Sequence, residues 1–416
     1  MLRSRVARGG VVNPAEAAGT TVRGTIQRCD KGLKPCEPEL PAIKPAFIVA
    51  LSGGGLRATL SAVGVLRFLA DAELLDRVTI VSSVSGGSIA SGLLAHAYPE
   101  LEAAAFSTES FVRNVERVAV RTITSRSMTY AMARNLWRLL DLKTTTTDIF
   151  TNVLDRWYFC DQKLTSLPER CRFIFNATNL TTGQRFGFER EVLGDEVFGY
   201  VESGDTRLAL AIACSASVPG FYPAHTIDRS FPCDKGLKTG LVDGGVYDNT
   251  ATKAVEDLAQ EHPDDYCVVA LNAGGVFRVK QYGYVLLLRD LLRSESVLYN
   301  VATTDRMQDL LRRLIEFETT GKGVRGVQFA LGMSLDGSKR TTAQRAGYDE
   351  WCRDARPEQS PELVKHLSNL STSLSRFSLG DARQLVYRGW WLTGASLSTF
   401  HRALLPSTLP RWVART

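Results

Sequence analysis

The chain has 416 residues, 44% of them hydrophobic and 23% charged, so it can bury a large core and has the length of two or three domains. A formal net charge of +6 gives weak support to an anionic partner such as a membrane surface and falls well short of the basic density expected for binding DNA or RNA. No run is long and apolar enough to span a bilayer, and the basic N-terminus "MLRSRVARGG" continues without an apolar core segment, which argues against a secretory signal.

Residues 1–44 mix Pro, Gly and charge with no sustained period and read as a tail or strap. Organised structure begins near Ala46, where "AFIVAL" reads as a strand, "LRATLSAVGVLRFLADA" as a helix, "VTIVSSV" as a strand and "GGSIASGLLAHA" as a helix. Residues of about 97–167 turn helical, basic and threonine-rich and read as an insertion. "CRFIFNATNL" and "TGLVDGG" then read as strands, "DNTATKAVEDLAQEH" as a helix and "YCVVALNAG" as a strand, and residues 276–416 as a mainly helical region packed on the core. Continuous apolar strands followed by helices predict an α/β fold, a largely parallel sheet with helices on both faces. The insertion contains Arg113, Arg117 and Arg121, which on a helix form a basic stripe beside Val112, Val115 and Val118, with Leu136, Trp137 and Leu139 further on. It reads either as the solvated face of a packed helix or as an interfacial cap.

Eight cysteines lie scattered, without C-x-x-C spacing and without neighbouring histidines, which argues against a zinc site. They read as free thiols in a reducing, cytoplasmic compartment; export would instead allow Cys29 to pair with Cys36, or Cys160 with Cys171.

The segments "LSGGGLRA" and "SSVSGGS" both break a strand into a helix. Backbone N–H groups at the first turn make a site for negative charge. A P-loop requires Gly-Lys-Ser/Thr, which Arg57-Ala58-Thr59 does not supply, and the dinucleotide fingerprint formally matched by Gly53, Gly55 and Ala58 expects an acid after the next strand, where serines stand. An oxyanion hole remains. At the second turn Ser85 has the layout of a nucleophile elbow, and the N–H of Gly86 would serve the same oxygen as Gly54 and Gly55. A serine before a helix is ordinarily an N-cap; the glycine run one strand earlier favours the nucleophile. None of His96, His225, His262, His366 and His401 lies in a motif resembling a triad member. Asp243 follows a strand and precedes two glycines, which puts it at the same sheet edge as Ser85, either as the base or as a turn aspartate. Asp248 and Asn249 could cap the helix that follows.

With these motifs in hand, the chain resembles the patatin-like phospholipases, over roughly residues 47–275. "FNATNLTTGQRFGF", "AIACSASVPGFYPAH" and "DGGVYDN" are similar to further segments of that family, with Ser83 in place of the first elbow glycine and Asn179 where many members have Asp. The resemblance implies a patatin-like three-layer fold and an acyl hydrolase acting on phospholipids or lysophospholipids through a Ser85/Asp243 dyad. It further implies an oxyanion hole from Gly54, Gly55 and Gly86 with Gly53 permitting the turn, no metal or organic cofactor, and peripheral membrane association. Arg57 would add charge near the site or meet a lipid phosphate, or else is a surface arginine in a first helical turn. "SASVPGFYP" would pack behind the elbow, with Phe221 and Tyr222 near an acyl chain. A non-catalytic lipid-binding protein of the same fold is the alternative, ahead of a nucleotide-binding enzyme.

Overall fold

In the computed structural model, which describes residues 28–36, 42–141, 144–274, 287–335, 340–354, 358–372 and 374–414, the first strand, β1 (Ala46–Leu51), is buried at every residue. Phe47, Val49 and Leu51 enter one core while Ala46, Ile48 and Ala50 enter a second on the opposite face. A strand covered on both sides has no solvent face, which is why its sequence is continuously apolar.

The other strands are β2 (Val78–Val84), β3 (Arg172–Asn179), β4 (Gln184–Phe188), β5 (Val192–Asp195), β6 (Gly199–Glu202), β7 (His225–Ile227), β8 (Thr239–Asp243), β9 (Tyr266–Asn272) and β10 (Gly326–Ala330). They form one sheet with the order β10-β9-β1-β2-β3-β4-β5-β6, and β7 and β8 branch from β3. Pairing is parallel from β10 to β3 and antiparallel beyond. The helices used below are α1 (Gly55–Asp71), α2 (Gly86–His96), α3 (Arg117–Ser125), α4 (Met128–Arg134), α5 (Thr146–Leu154), α6 (Leu208–Ser215), α7 (Leu287–Thr320) and α8 (Leu379–Phe400). Side chains of α1, α2 and α8 fill the larger core, and Ala259, Leu310 and Leu314 close the smaller one from the other face. The fold is therefore α/β, with helices around a central sheet and a helical C-terminal region.

That C-terminal region holds more than helices. It supplies β10 to the sheet, and α8 lays Trp390 against Phe68 of α1, with 5.9 Å between ring centroids. The helix expected across "DNTATKAVEDLAQEH" is broken into Gly245–Asp248 and Glu256–Glu261, because the Asp248 carboxylate accepts from the N–H groups of Thr250 and Lys253 and folds the intervening chain into a turn.

The cysteine reading is corrected. Cys29 and Cys233, 204 residues apart, form a disulfide. The strap brings them together: Cys29 N–H donates to the Glu196 carbonyl at 2.8 Å, and Leu33 bridges to Tyr200 of β6. Cys36, Cys160, Cys171, Cys214, Cys267 and Cys352 are not in disulfides, so neither of the short-range pairings forms. Most of the expected tail, residues 1–27 and 37–41, lies outside the described residues.

The insertion is helical, and its basic stripe is corrected in part. Arg113, Arg117 and Arg121 are exposed, but Val112 and Val115 are buried and Val118 packs half-buried against the main core. The apolar side of this segment faces the protein, so it is a packed helix with a solvated arginine face. The exposed apolar residues come later, at Leu136, Trp137 and Leu140.

Candidate active site

Strand β2 ends at Val84, helix α2 begins at Gly86, and Ser85 between them has φ 52° and ψ −120°. A non-glycine residue held at positive φ is strained, and such strain persists only where surrounding structure enforces it. Here Ser85 N–H is held by both the carbonyl and the hydroxyl oxygen of Ser215, each at 3.1 Å. The Ser85 side chain makes no capping bond to α2. Its hydroxyl is thus not used as a helix cap.

Asp243 reaches the same place by a route that the sequence pattern does not give. β2 runs along one edge of β3 as far as Val84 opposite Asn176. β8 takes over that edge in the antiparallel sense, with Asp243 opposite Ala177. The carboxyl ends of β2 and β8 therefore meet head to head on adjacent positions of β3. One acceptor ties them: the Ser215 carbonyl, at the end of α6, receives both Ser85 N–H at 3.1 Å and Gly244 N–H at 3.2 Å. Asp243 is 3% exposed. Its backbone N–H donates to Ser217 at 2.9 Å, Thr178 Oγ1 donates to its carbonyl at 2.9 Å, and its Oδ1 accepts Gly245 N–H at 2.7 Å.

The glycine loop closes over the elbow backbone to backbone. A Cβ on Gly86 would stand 2.0 Å from the Gly55 carbonyl oxygen, so only glycine fits. Thr59 Oγ1 donates to the Gly86 carbonyl at 2.7 Å and locks the two turns together. Gly55 and Gly86 are the first residues of α1 and α2, where N–H groups have no carbonyl one turn back to donate to. Gly54, at φ 140°, makes the entry turn. Gly53 N–H is engaged: it donates to the Asn249 carbonyl at 3.1 Å, and Asn249 Oδ1 in turn accepts from the Tyr299 hydroxyl of α7.

Arg57 is not a surface arginine. It is 1% exposed, and it donates to the carbonyls of Ser368 at 2.6 Å, Leu370 at 3.1 Å and Ala273 at 2.8 Å. Ala273 O is also the atom a Gly54 Cβ would strike, at 2.4 Å. The guanidinium therefore fastens the glycine loop to the end of β9 and to the chain ahead of α8.

Around these residues lies a buried polar network that sequence reasoning missed. Asn176 Nδ2 donates to Ser82 Oγ and to the Ser83 carbonyl at 3.0 Å each, Ser215 Oγ donates to the Asn176 carbonyl at 2.6 Å, and Ser88 Oγ lies 2.8 Å from Ser215 Oγ. Ser83 accepts from Ser88 within it, so the serine in place of glycine is absorbed as a strand residue. Asn179 is buried and donates to Asp195 at 2.7 Å, a turn-forming role. The sequence signal for this network is the density of serines at positions 82, 83, 85 and 88.

The histidines are engaged elsewhere. His96 faces Gln162, His262 pairs with Asp265, His366 with Asp381, and His401 with the Gly326 carbonyl. His225 lies on β7, and burial pushes its pKa below the ordinary imidazole value. Among the described residues none is hydrogen-bonded to Ser85, and no cluster of three His, Cys, Asp or Glu could hold a metal ion. Exposed Leu180, Val218, Phe221 and Val246 flank the edge, and Tyr222 stacks on Phe150 at 5.3 Å.

Residues 49–255 match a family model described as patatin-like phospholipase. Among solved structures, human GIVD cytosolic phospholipase A2 is similar at 16% identity over 85% of this chain and 59% of that one, with a TM-score of 0.49. The same enzyme in complex with methyl gamma-linolenyl fluorophosphonate gives 16% identity, 85% and 57% coverage and a TM-score of 0.49. VipD from Legionella pneumophila gives 13% identity, 78% and 66% coverage and a TM-score of 0.33. This chain thus spans under two thirds of the length of each of these neighbours. No curated protein matches it.

Proposed function

The chain belongs to the patatin-like phospholipases through residues 49–255, and from that premise we propose that it is a serine hydrolase of fatty-acyl esters in phospholipids or lysophospholipids. Asp243 takes the hydroxyl proton of Ser85 as the oxygen attacks the ester carbonyl, then returns it to the leaving alcohol. Water, activated by the same carboxylate, hydrolyses the acyl-enzyme. The N–H groups of Gly54, Gly55 and Gly86 face the oxygen that becomes charged; Gly53, whose N–H is engaged, shapes the turn.

The observation that carries this reading is the shared Ser215 carbonyl, which accepts from the elbow and from the residue after Asp243. It supports a dyad because one acceptor holds the backbone of both turns side by side. The uncapped hydroxyl of Ser85 weighs against the non-catalytic lipid-binding alternative. The apolar residues flanking the edge suit an acyl chain, and peripheral association with a lipid surface follows from the substrate. Among the described residues no helix is long and apolar enough to cross a membrane. The test is fatty-acid release from phosphatidylcholine and lysophosphatidylcholine by the purified chain. Release by the wild type that vanishes in Ser85→Ala supports the hydrolase. Release that Ser85→Ala retains in full removes the proposed nucleophile.

A further inference from the structure

We propose that a cavity of about 300 Å³ in the insertion, on the far side of α5 from the segment bonded to Asp243, binds the phosphate of an anionic lipid headgroup and seats the protein on an anionic membrane. The inference builds on the lipid-hydrolase reading but rests on different residues.

Four arginines line the cavity: Arg126, Arg134, Arg138 and Arg156. Among the described residues, no carboxylate lies within ion-pair distance of any of them, whereas Arg67, Arg172, Arg190, Arg207, Arg229, Arg313, Arg388 and Arg402 each have one. Like charges gathered round one space without counter-charge repel, and an anion in that space relieves the repulsion. Guanidinium forks suit phosphate geometry in particular. Arg126 is held in place over the Trp157 ring, 5.5 Å from its centroid.

The surroundings select a lipid over a free phosphate. Tyr130, on the cavity wall, is 67% exposed, and Leu136, Trp137 and Leu140 in the adjoining turn are 46%, 68% and 84% exposed. Large apolar and aromatic side chains standing in water beside a phosphate site suit the interface of a bilayer, where Trp and Tyr settle at headgroup level and basic residues meet anionic lipid. The wall helix connects this site to the chemistry. Ile149, Asn152 and Val153 of α5 line the cavity, while Thr147 lies 3.4 Å from Ser217 Oγ and Phe150 stacks on Tyr222.

The experiment is sedimentation of the full chain with phosphatidylcholine vesicles, with and without phosphatidic acid. The variants are Arg134→Gln/Arg138→Gln/Arg156→Gln and, as a charge-matched control, Arg113→Gln/Arg117→Gln/Arg121→Gln. The expected result is binding to acidic vesicles that the cavity triple weakens on the order of a hundredfold, that the control weakens by only about fivefold, and that Trp137→Ser/Leu140→Ser also weakens. Equal losses in the two triples would overturn the proposal in favour of diffuse charge. Saturable binding of inorganic phosphate without vesicle binding, or arginine-dependent capture of single-stranded RNA with none of vesicles, would overturn the lipid as occupant. Hydrolysis of a soluble short-chain ester by the wild type, assayed in parallel, separates the two readings. A chain that cleaves the ester but binds neutral and acidic vesicles alike fails only here; one that binds through its arginines but cleaves nothing fails only as a hydrolase.

Discussion

The sheet edge and the insertion use arginine in opposite ways. Arg57 is almost fully enclosed and committed to main-chain carbonyls, so its charge is spent on holding a loop. Arg126, Arg134, Arg138 and Arg156 ring an open space and meet no carboxylate among the described residues. The first arrangement fixes the loop beside the proposed nucleophile and the second leaves charge available to something that arrives. A residue type in a motif does not say which of the two it will be; the number of acceptors the fold brings to it does.

The comparison breaks most sharply at the edge itself. Replacing Asp243 with Asn is expected to lower kcat on any ester substrate by at least about a thousandfold, since the proposed base loses its proton affinity while its size is kept. Steady-state kinetics checks this, and activity within tenfold of wild type would remove Asp243 from the chemistry. Gly86→Ala comes next. The added Cβ, 2.0 Å from the Gly55 carbonyl oxygen, must push the two turns apart, and a loss of about a hundredfold in kcat with little change in KM is expected from misaligned oxyanion donors.

The arginines give the middle of the scale. Arg57→Met strands the buried carbonyls of Ser368 and Ala273 and the half-buried one of Leu370, and should lower unfolding stability by about 3 kcal/mol in denaturant titration. Arg138→Gln, with no ion pair to lose among the described residues, should change it by less than about 0.5 kcal/mol. Equal effects would erase the contrast between the two regions. The smallest effect is expected from His225→Ala, which should keep at least about half the wild-type kcat across neutral pH, since it lies on β7 and among the described residues makes no hydrogen bond to Ser85. A collapse of activity to the level of Asp243→Asn would replace the dyad with a triad.

Much of this was readable from local pattern. Strand, turn and helix alternate where apolar periodicity changes, and the position of Ser85 between β2 and α2 follows from that alone. What was not readable is non-local. The antiparallel entry of β8 onto the edge left by β2 depends on where β2 stops. The Cys29–Cys233 bridge joins residues 204 apart, and proximity in sequence favoured shorter pairings that the strap geometry does not make. Arg57 has the same neighbours in sequence whether exposed or enclosed; the carbonyls that enclose it come from residues 273, 368 and 370. The valines beside the basic stripe have helical spacing that suits a membrane face and a core face equally, and only the packing of α1 and α8 decides between them.

The central claim is that Ser85 is the nucleophile at the meeting point of the two turns. Labelling of the wild-type chain with a fluorophosphonate probe, followed by peptide mapping, tests it most directly. The account predicts a single adduct on Ser85, lost in Ser85→Ala and strongly slowed in Asp243→Asn. An adduct on another residue, or labelling that Ser85→Ala leaves unchanged, would contradict it.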